Sequence, residues 1–473
     1  MAERAKLLMD VKGKRVLVVG LGKSGVASAL FLERQGARVA VSDSKTEEQL
    51  PQEIPLLLEH GISVESGHHG ERTFRDQDLI VVSPGVPFDV PQLVQARALG
   101  IPVIGEMELA ARFLQGRIVA ITGSNGKTTT TALTGQILST GGCQVLVGGN
   151  IGTPAISFVE SATDETWIVL EISSFQLETI EKFHPKIAVV LNVTPDHLDR
   201  HYTFENYVAA KARILENQMA DDFVVLNADN TSCMGLASRT NAPVFWFSRL
   251  SEVEQGAFTH DGRIFWRHAK VEVEIMPVSE IALKGWHNVE NVLAGICCGM
   301  LAGAEPEQIR QAISSFKAVE HRLEYVGAVR GVEYYNDSKA TNVDATIKAL
   351  ESFPGRIHLI LGGKDKGSDY SLLNPLLRER VKRIYTIGAA AGKIESQVRG
   401  VEIVSVGTLD MAVRRASESA LPGDVVLLAP ACASFDQFDS YEHRGRVFKQ
   451  EVRQLESKEQ QHDRLVSTHG SVE

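Results

Sequence analysis

The chain has 473 residues, of which 44% are hydrophobic and 23% charged, and its formal net charge is −10. This length exceeds what one hydrophobic core usually supports, so several domains are expected. The composition is typical of a globular protein and excludes disordered and fibrous classes. Because general nucleic-acid binders need a basic surface, the acidic balance argues against that class. Anionic ligands would have to bind at local sites such as helix N-termini.

The sequence also indicates the cellular compartment of the protein and the redox state of its cysteines. No apolar run is long enough to span a membrane, and the N-terminus shows no secretory signal, so a cytoplasmic location is expected. The five cysteines have neither metal-ligand spacing nor an even disulfide framework, which predicts buried thiols.

Apolar runs of strand length alternate with helical patterns along nearly the whole chain. This alternation predicts an α/β protein built from open, mostly parallel sheets with helices on both faces. We place three such domains at 1–105, 106–318 and 319–456. A polar tail at 457–473 shows no periodicity and is expected to be frayed.

The first domain begins with the strand RVLVV and the glycine pattern Gly20-x-Gly22-x-x-Gly25, and its second strand ends at Asp43. This spacing is the dinucleotide-binding fingerprint, in which the acidic residue holds a ribose hydroxyl. The pattern leaves two interpretations open. The first is a nicotinamide- or flavin-dependent oxidoreductase, and the second is a domain that binds another nucleotide or no ligand. No catalytic set typical of a dehydrogenase follows.

A phosphate-binding loop is predicted between the strand RIVAIT and the helical pattern that follows it. Its backbone N–H groups turn toward phosphate oxygens, Lys127 reaches the outer phosphates, and the hydroxyl of Thr128 can bind Mg²⁺. The strict pattern G-x-x-x-x-G-K-[ST] is not met, because Ile121 stands at its first glycine. The alternative is an ordinary glycine turn at a helix start. The loop comprises Gly123, Ser124, Asn125, Gly126, Lys127, Thr128 and Thr129.

Acidic and histidine residues follow the next two apolar strands. Glu171 ends the strand WIVLEIS, where a carboxylate is either a Mg²⁺ ligand or the cap of a following helix. The cluster from Asp196 to His201 follows the strand IAVVLNV and is compatible with a transition-metal site, although it has no partner ligands elsewhere. Lys211 lies in the helical pattern NYVAAKARILEN, and by sequence reasoning alone it is a solvated lysine.

The stretch from Gly256 to Leu283 alternates polar and apolar residues and contains Asp261-Gly262, a favoured hairpin turn. It predicts a small antiparallel insertion in the central domain. In the third domain, polar segments follow three strands, at 336–342, 361–366 and 429–438. We expect the three segments to share one crevice, although any single one can be only a turn or a helix cap.

Taken together, these segments resemble the Mur ligase family, and the resemblance covers nearly the whole chain except the polar tail. It rests on TGSNGKTT, GGNIG, LEISSFQLE, NVTPDHLDRH, NDSKATN, LGGKDKG and PACASFDQFDSYEHRG, in this order. The resemblance implies an ATP-dependent ligase that joins D-glutamate to UDP-N-acetylmuramoyl-L-alanine through an acyl phosphate. It argues against NAD as a ligand. The oxidoreductase remains an alternative, as does another ligase of the Mur or folylpolyglutamate type.

The resemblance also implies roles for individual residues, and each of these roles is an expectation. The catalytic residues would be Lys127, Glu171, His197 and Lys211. Mg²⁺, with two sites expected, would be held by Thr128, Glu171, His197 and Lys211, the last as an N6-carboxylysine. Besides the phosphate loop, ATP would contact Asn291, Arg322, Asp337, Lys339 and Thr341. The UDP-linked substrate would contact Ser24, Asp43, Ser83, Pro84, Gly85, Asn150 and His197. D-Glutamate would contact Lys366, Ser434, Phe435 and Tyr441. We expect a monomer without a nucleic-acid partner.

Overall fold

A computed structural model describes residues 9–283, 285–317 and 320–469. These residues form two compact units. Unit 1 takes in the described chain up to Pro195, then Arg200–Glu280 and Glu290–Ser315. Unit 2 takes in Asp196–Asp199, the described part of Ile281–Val289, and the described chain from Phe316 onward. The domain boundary predicted between 318 and 319 lies outside the described residues. Among the described helices, none is long and apolar enough to cross a membrane.

The first sheet of unit 1 has five parallel strands. They are β1 (Arg15–Val19), β2 (Arg38–Asp43), β3 (Ser63–Ser66), β4 (Leu79–Val82) and β5 (Val103–Gly105). The connecting helices are α1 (Lys23–Arg34), α2 (Glu53–Glu59), α3 (Glu71–Arg75) and α4 (Pro91–Ala98), with a 3-10 turn at Glu47–Gln49. The strand order is β3-β2-β1-β4-β5. The central strands β1 and β4 are apolar and largely buried, as expected for strands covered on both faces.

The second sheet of unit 1 has nine strands. They are β6 (Arg117–Thr122), β7 (Val145–Gly149), β8 (Trp167–Glu171), β9 (Ile187–Val190), β10 (Phe223–Asn227), β11 (Val244–Ser248), β12 (Gly256–His260), β13 (Arg263–His268) and β14 (Val271–Pro277). The strand order is β14-β13-β12-β11-β10-β9-β6-β8-β7. Neighbours from β7 to β12 are parallel. β12 and β13 pair antiparallel around Asp261-Gly262, and β14 pairs antiparallel with β13, which confirms the predicted insertion.

The helices between α4 and the third sheet are of very different lengths. They are α5 (Glu106–Phe113), α6 (Lys127–Thr140), α7 (Ser174–Leu177), α8 (Leu198–His201), α9 (Phe204–Ala212), α10 (Thr231–Met234), α11 (Trp286–Leu301) and α12 (Pro306–Ser315). Short 3-10 turns lie at Ala155–Phe158, Arg213–Leu215, Ala237–Arg239 and Val278–Glu280. One apolar cluster includes Val16 and Val18 of the first sheet and Ala120 and Leu170 of the second. The two sheets of unit 1 are therefore joined by a continuous core.

Unit 2 contains a six-stranded sheet. Its strands are β15 (Glu324–Val329), β16 (Val332–Asn336), β17 (Ile357–Gly362), β18 (Val381–Ile387), β19 (Glu402–Gly407) and β20 (Val425–Leu428). Its helices are α13 (Val343–Glu351), α14 (Asn374–Arg380), α15 (Ala391–Gln397), α16 (Leu409–Ser419) and α17 (Tyr441–His469), with a 3-10 turn at Tyr370–Leu373. The strand order is β15-β16-β20-β17-β18-β19, and only the pairing of β15 with β16 is antiparallel. The predicted α/β class is confirmed for all three sheets.

The polar tail predicted to fray from residue 457 is helical instead. α17 begins at Tyr441 and continues to His469, and residues 470–473 lie outside the described chain. Between Arg446 and His469 the sequence has neither glycine nor proline and is rich in Glu, Gln, Lys and Arg, which are good helix formers. From residue 457 the sequence is mostly polar and shows no apolar periodicity, so the pattern that usually reveals a helix is missing in this part of α17.

Glu106 is a buried carboxyl at the start of α5, and only 1% of it is exposed. Its Oε1 accepts the backbone N–H of Ile156 at 3.0 Å. Its Oε2 has no hydrogen-bond partner among the described residues. Burial raises the pKa of Glu106 from 4.5 to about 7, and interactions with the backbone of Ile156 and Ala155 and the Gln176 side chain oppose this rise only in part.

This raised pKa predicts a pH dependence of stability. The folded chain holds the proton more tightly than the unfolded chain, so the contribution of Glu106 to stability falls as pH rises from about 4.5 to about 7. Glu106→Gln removes the titrating group. We subtract the parent's free energy of unfolding from that of the Glu106→Gln variant at each pH. This difference should be higher at about pH 8 than at about pH 4.5, by roughly 1–3 kcal/mol. Urea unfolding at both pH values measures the difference.

The matched control is Glu160→Gln, because the Glu160 side chain is 63% exposed and pairs only with exposed Arg34 among the described residues. We expect this control to change stability by about 0.5 kcal/mol or less at either pH. An equal effect of Glu106→Gln at the two pH values would contradict the prediction.

Candidate functional site

The phosphate loop, Gly123–Thr129, connects the carboxyl end of β6 to the start of α6. Gly126 has φ of 85°, in the left-handed region that favours glycine. A Cβ at this position would lie 2.2 Å from Oδ1 of Asn291 on α11. Thr130 also donates from Oγ1 to the same Asn291 oxygen at 3.3 Å. The backbone conformation and the close approach of Asn291 both require a glycine here.

Asn192 holds the loop through three hydrogen bonds. Its Oδ1 accepts the N–H of Asn125 at 2.9 Å, and its Nδ2 donates to the Asn125 carbonyl at 3.1 Å. Its own carbonyl accepts the N–H of Ser124 at 2.9 Å. Sequence reasoning did not single out Asn192, although it lies in the quoted segment NVTPDHLDRH. The signal available was its position two residues after the end of the apolar strand β9.

Two lysines converge on the loop. Lys127 Nζ donates to the carbonyls of Gly123 and Ser124 at 2.8 and 3.0 Å. Lys211 Nζ, from α9, donates to the same Gly123 carbonyl at 2.8 Å and lies 4.6 Å from the ring centre of Tyr207. Lys211 is 1% exposed, so the prediction from its helical pattern that this lysine is solvated is wrong. The role that the family resemblance implies for Lys211 stays a prediction.

Thr128 and Glu171 lie side by side and present oxygen atoms of the kind that bind Mg²⁺. Thr128 Oγ1 donates to Glu171 Oε2 at 2.7 Å, and Asn150 Nδ2 donates to Glu171 Oε1 at 2.9 Å. Glu171 is 1% exposed. It is not the cap of α7, since Ser173 takes that role by accepting the N–H of Gln176. A hydroxyl beside a carboxylate fits Mg²⁺, which prefers oxygen ligands.

The predicted UDP contacts lie at the carboxyl ends of neighbouring strands β2, β1 and β4. Asp43 accepts the N–H of Leu21 at 2.6 Å through Oδ2 and that of Lys45 at 2.8 Å through Oδ1. Ser83 Oγ donates to the Gly20 carbonyl at 2.7 Å. Both side chains therefore brace the glycine loop. The other predicted contacts in this sheet are Ser24 in the first turn of α1, and Pro84 and Gly85 directly after β4.

Arg200 links the edges of the two sheets of unit 1, a role that sequence reasoning missed. Its Nη2 donates to the carbonyl of Val86 at 3.2 Å and to Glu178 Oε2 at 2.9 Å. Val86 follows Gly85 in the segment after β4, and Glu178 follows α7. The predicted UDP-binding segment is thereby held against the second sheet.

In unit 2, Asp337 and its neighbours follow β16. Asp337 is 2% exposed, and its Oδ1 accepts the N–H of Leu323 at 3.3 Å and lies 4.0 Å from Arg322 Nη1. Burial raises the pKa of Asp337 to about 6, and the positive charge of Arg322 opposes this rise. Lys339 Nζ donates to Tyr441 Oη at 3.3 Å, and the N–H of Thr341 donates to the Lys339 carbonyl. These predicted ATP and D-glutamate residues are close together.

Asp196 brings a second group together in unit 2. It lies 3.7 Å from Lys366 Nζ through Oδ1 and accepts from Asn342 Nδ2 at 2.8 Å through Oδ2. His197 Nε2 lies 3.6 Å from the same Oδ2. Asn342 also caps α13, so the helix-cap interpretation is correct for this residue. His197 belongs to unit 2, whereas Glu171 and Lys211, predicted to share its metal, belong to unit 1.

The remaining predicted D-glutamate residues follow β20. Ser434 is 2% exposed and Phe435 is 68% exposed. Backbone hydrogen bonds between Lys364 and Ala433, at 2.8 and 3.0 Å, join the segment after β17 to the segment after β20. Since β16, β20 and β17 are neighbours, the three polar strand ends of unit 2 lie side by side.

Comparison with known families agrees with this geometry. Residues 14–105 match the Mur ligase MurD-like N-terminal domain, residues 121–299 the Mur ligase middle domain, and residues 321–432 the Mur ligase glutamate ligase domain. The chain belongs to the Mur ligase family. The glycine loop of this Mur ligase lies within the first matched domain, so the oxidoreductase alternative is not favoured.

Two curated relatives are similar over almost their whole length. Both are named UDP-N-acetylmuramoylalanine--D-glutamate ligase. The protein from Koribacter versatilis is 69% identical over 451 residues, covering 95% of this Mur ligase and 100% of the relative. The protein from Acidobacterium capsulatum is 61% identical over 444 residues, covering 93% and 96%. The solved UDP-N-acetylmuramate-alanine ligase of Thermotoga maritima shares the fold, with 20% identity, a TM-score of 0.58, and coverage of 94% and 100%.

The geometry of Gly126 predicts a specific loss of nucleotide binding. In Gly126→Ala the new Cβ displaces Asn291 or the loop, and we expect the affinity for a non-hydrolysable ATP analogue with Mg²⁺ to fall about tenfold or more. Calorimetric titration measures it.

Gly142→Ala is the matched control, since Gly142 has φ of 82° and a Cβ added there would meet no described atom within 4 Å. Both variants should lose about 1 kcal/mol of stability from the positive φ. Equal nucleotide affinity in the two variants would show that the contact with Asn291 does not shape the loop.

Proposed function

We propose that this Mur ligase catalyses the ATP-dependent addition of D-glutamate to UDP-N-acetylmuramoyl-L-alanine, in the synthesis of peptidoglycan precursors. The observation that carries the proposal is the pairing of Thr128 with Glu171 at 2.7 Å beside a phosphate loop that carries Lys127. The choice of substrates is supported by the 69% and 61% identical relatives that bear this name.

The reaction needs ATP because a carboxylate is a poor electrophile. An oxygen of the alanyl carboxylate attacks the γ-phosphorus, the bond to the bridging oxygen breaks, and ADP leaves. The product is an acyl phosphate. The amine nitrogen of D-glutamate then attacks the acyl carbon and loses a proton, and phosphate leaves with the electron pair of the C–O bond. The net products are an amide, ADP and phosphate.

The protein's part in the first step is positioning and charge neutralisation. The N-terminus of α6 would favour the phosphates through the positive end of the helix dipole, and Lys127 would neutralise negative charge on the transferring phosphoryl group. Thr128 and Glu171 are the residues that would hold Mg²⁺, which neutralises further charge when bound. Thr128 is hydrogen-bonded to Glu171, and Lys127 is hydrogen-bonded to the loop carbonyls, so these contacts gather the three groups at the phosphate loop.

We propose the following assignments for the other predicted residues. Ser24, Asp43, Ser83, Pro84, Gly85, Asn150 and His197 contact the UDP-linked substrate, and His197 also serves a second Mg²⁺. Asn291, Arg322, Asp337, Lys339 and Thr341 contact ATP. Lys366, Ser434, Phe435 and Tyr441 contact D-glutamate, with the Lys366 ammonium pairing with a substrate carboxylate. Since both ATP and the UDP-linked substrate are cytoplasmic nucleotides, we propose a cytoplasmic enzyme that is active as a single chain.

The decisive assay is phosphate release from ATP with UDP-N-acetylmuramoyl-L-alanine and separate amino acids. We expect turnover with D-glutamate and none above background with L-glutamate or a diamino acid. Thr128→Val, which removes the hydroxyl but keeps the shape, should lower kcat about a hundredfold, as loss of a transition-state contact does.

Thr131→Val is its control, because the Thr131 hydroxyl is buried without a partner among the described residues. Its kcat should stay within about twofold of the parent. Turnover with L-glutamate or a diamino acid but not with D-glutamate would reject the proposed substrate.

We also propose that Lys211 carries a carbamate formed with CO₂. Its nitrogen attacks the CO₂ carbon and loses protons, which converts the ammonium into a carboxylate able to hold Mg²⁺. The site is compatible with this change, because the carbamate nitrogen keeps one N–H for the Gly123 carbonyl, 2.8 Å away. The near-complete burial of Lys211 beside the phosphate loop is what supports a role beyond surface charge.

The carbamate predicts chemical rescue. Lys211→Ala should lose most activity and regain part of it with added formate or acetate, since a small carboxylate can occupy the vacated space. Protein equilibrated with ¹³CO₂ should show a carbamate carbon resonance by NMR that Lys211→Ala lacks. Lys182→Ala, at an exposed lysine of the same unit, is the control and should keep both activity and resonance. Absence of the resonance in active parent protein would rule the carbamate out.

A further inference from the structure

We propose that Arg444 is a positioning residue that fixes three ligand-bearing loops of unit 2 in one geometry. The loops are named after the strands they follow: the β16 loop (337–342), the β17 loop (363–369) and the β20 loop (429–440). This inference rests on the proposed function, in which these loops hold ATP and D-glutamate.

Arg444 lies in the first turn of α17, and none of its surface is exposed. Its Nε donates to Ser338 Oγ at 3.0 Å, and its Nη2 donates to the Ser338 carbonyl at 2.8 Å. The same Nη2 donates to the Cys432 carbonyl at 3.1 Å. Its Nη1 donates to the carbonyls of Ala433 and Gly362 at 3.3 and 3.5 Å. One guanidinium thus contacts the β16 loop, the β20 loop and the end of β17.

These contacts lie next to the residues proposed to bind ligands. Ser338 lies between Asp337 and Lys339, and Ala433 directly precedes Ser434 in the chain. Ser338 Oγ, which accepts from Arg444, also donates to the Tyr441 carbonyl at 2.8 Å. Arg444 therefore ties the start of α17 to both loops at the points where the proposed ligand contacts begin.

The geometry requires a guanidinium in particular. Arginine presents five N–H donors in a planar fork, whereas a lysine ammonium has three donors around one point and cannot reach acceptors on three separate segments. These acceptors of Arg444 are all neutral carbonyl or hydroxyl oxygens. Burial accordingly lowers the pKa of Arg444 to about 10, because no hydrogen-bonded carboxylate among the described residues compensates the lost hydration.

An apolar side chain would fill this space without the energetic penalty of a buried charge. What it would not do is hold the neighbouring carbonyls at fixed positions, and it would leave them without hydrogen bonds. A buried positive charge beneath loops that bind anionic ligands also favours those ligands electrostatically. Both effects bear on ATP and D-glutamate rather than on the UDP-linked substrate, whose proposed contacts except His197 lie in unit 1.

Steady-state kinetics of Arg444→Lys test the proposal. We expect KM for D-glutamate and KM for ATP each to rise about tenfold or more, with kcat lowered, because several hydrogen bonds to a charged group are lost. KM for the UDP-linked substrate should stay within about twofold of the parent. Arg446→Lys, an exposed arginine half a turn away on α17, is the matched control and should leave all constants unchanged.

A purely structural role would give a different pattern, with the folded fraction reduced and every KM unchanged. A thermal unfolding scan of each variant measures the folded fraction at the assay temperature. If Arg444→Lys does not fold, Ser338→Ala removes only the side-chain acceptor, and it should raise KM for D-glutamate and ATP in the same direction by a smaller factor.

Unchanged KM values in folded Arg444→Lys, or in Ser338→Ala where it alone folds, would overturn the inference. So would an equal rise in all three KM values. The parent enzyme separates this failure from failure of the proposed function, since parent protein that releases no phosphate with D-glutamate refutes the function itself.

Discussion

The position of Glu171 depends on the register between β8 and β6, and the site in unit 1 depends on Glu171. In this register Glu171 lies opposite Ile121, two residues before the phosphate loop begins. Since side chains alternate between the two faces of a strand, a slip of one residue would turn the carboxylate away from Thr128. β7 pairs with β8 so that Gly149 lies opposite Glu171, and this pairing brings Asn150 within 2.9 Å of the carboxylate. One pairing pattern thus assembles residues from three separate segments.

Three buried charged groups, Lys211, Glu171 and Arg444, are hydrogen-bonded to neutral dipoles. Lys211 contacts the Gly123 carbonyl, Glu171 contacts a hydroxyl and an amide, and Arg444 contacts four carbonyls and a hydroxyl. Burying such charges costs stability, and their hydrogen bonds only offset that cost. What the arrangement provides is side chains held in defined positions, where oriented dipoles and charges can stabilise anionic groups. An acidic chain can in this way bind anions at a few defined points.

Local patterns were enough to predict the sheets, the phosphate loop and the antiparallel insertion. Strands, a glycine-rich loop and a hairpin turn at Asp261-Gly262 are each specified by residues that are close together in the sequence. They were insufficient for Lys211. Helical periodicity shows which residues share a face but not what packs against that face, here the phosphate loop. The end of α17, from residue 457, was missed for the opposite reason, since its mostly polar sequence has no apolar periodicity to detect. Arg444 gives no local signal at all, because its acceptors at Ser338, Gly362 and Cys432 are brought together only by the fold.

In the proposed function, unit 1 activates the carboxylate and unit 2 selects the amino acid. The phosphate loop can neutralise phosphate charge through Lys127, but it has no group that could distinguish D-glutamate from another amino acid. Discrimination between amino acids requires placed partners for their carboxylates, and the predicted ones, Lys366 and Ser434, lie in loops of unit 2. Lys366 is held near Asp196, and Ser434 follows a carbonyl bonded to Arg444. A change of amino-acid specificity therefore calls for changes in these loops and their supports, while the phosphate loop can remain the same.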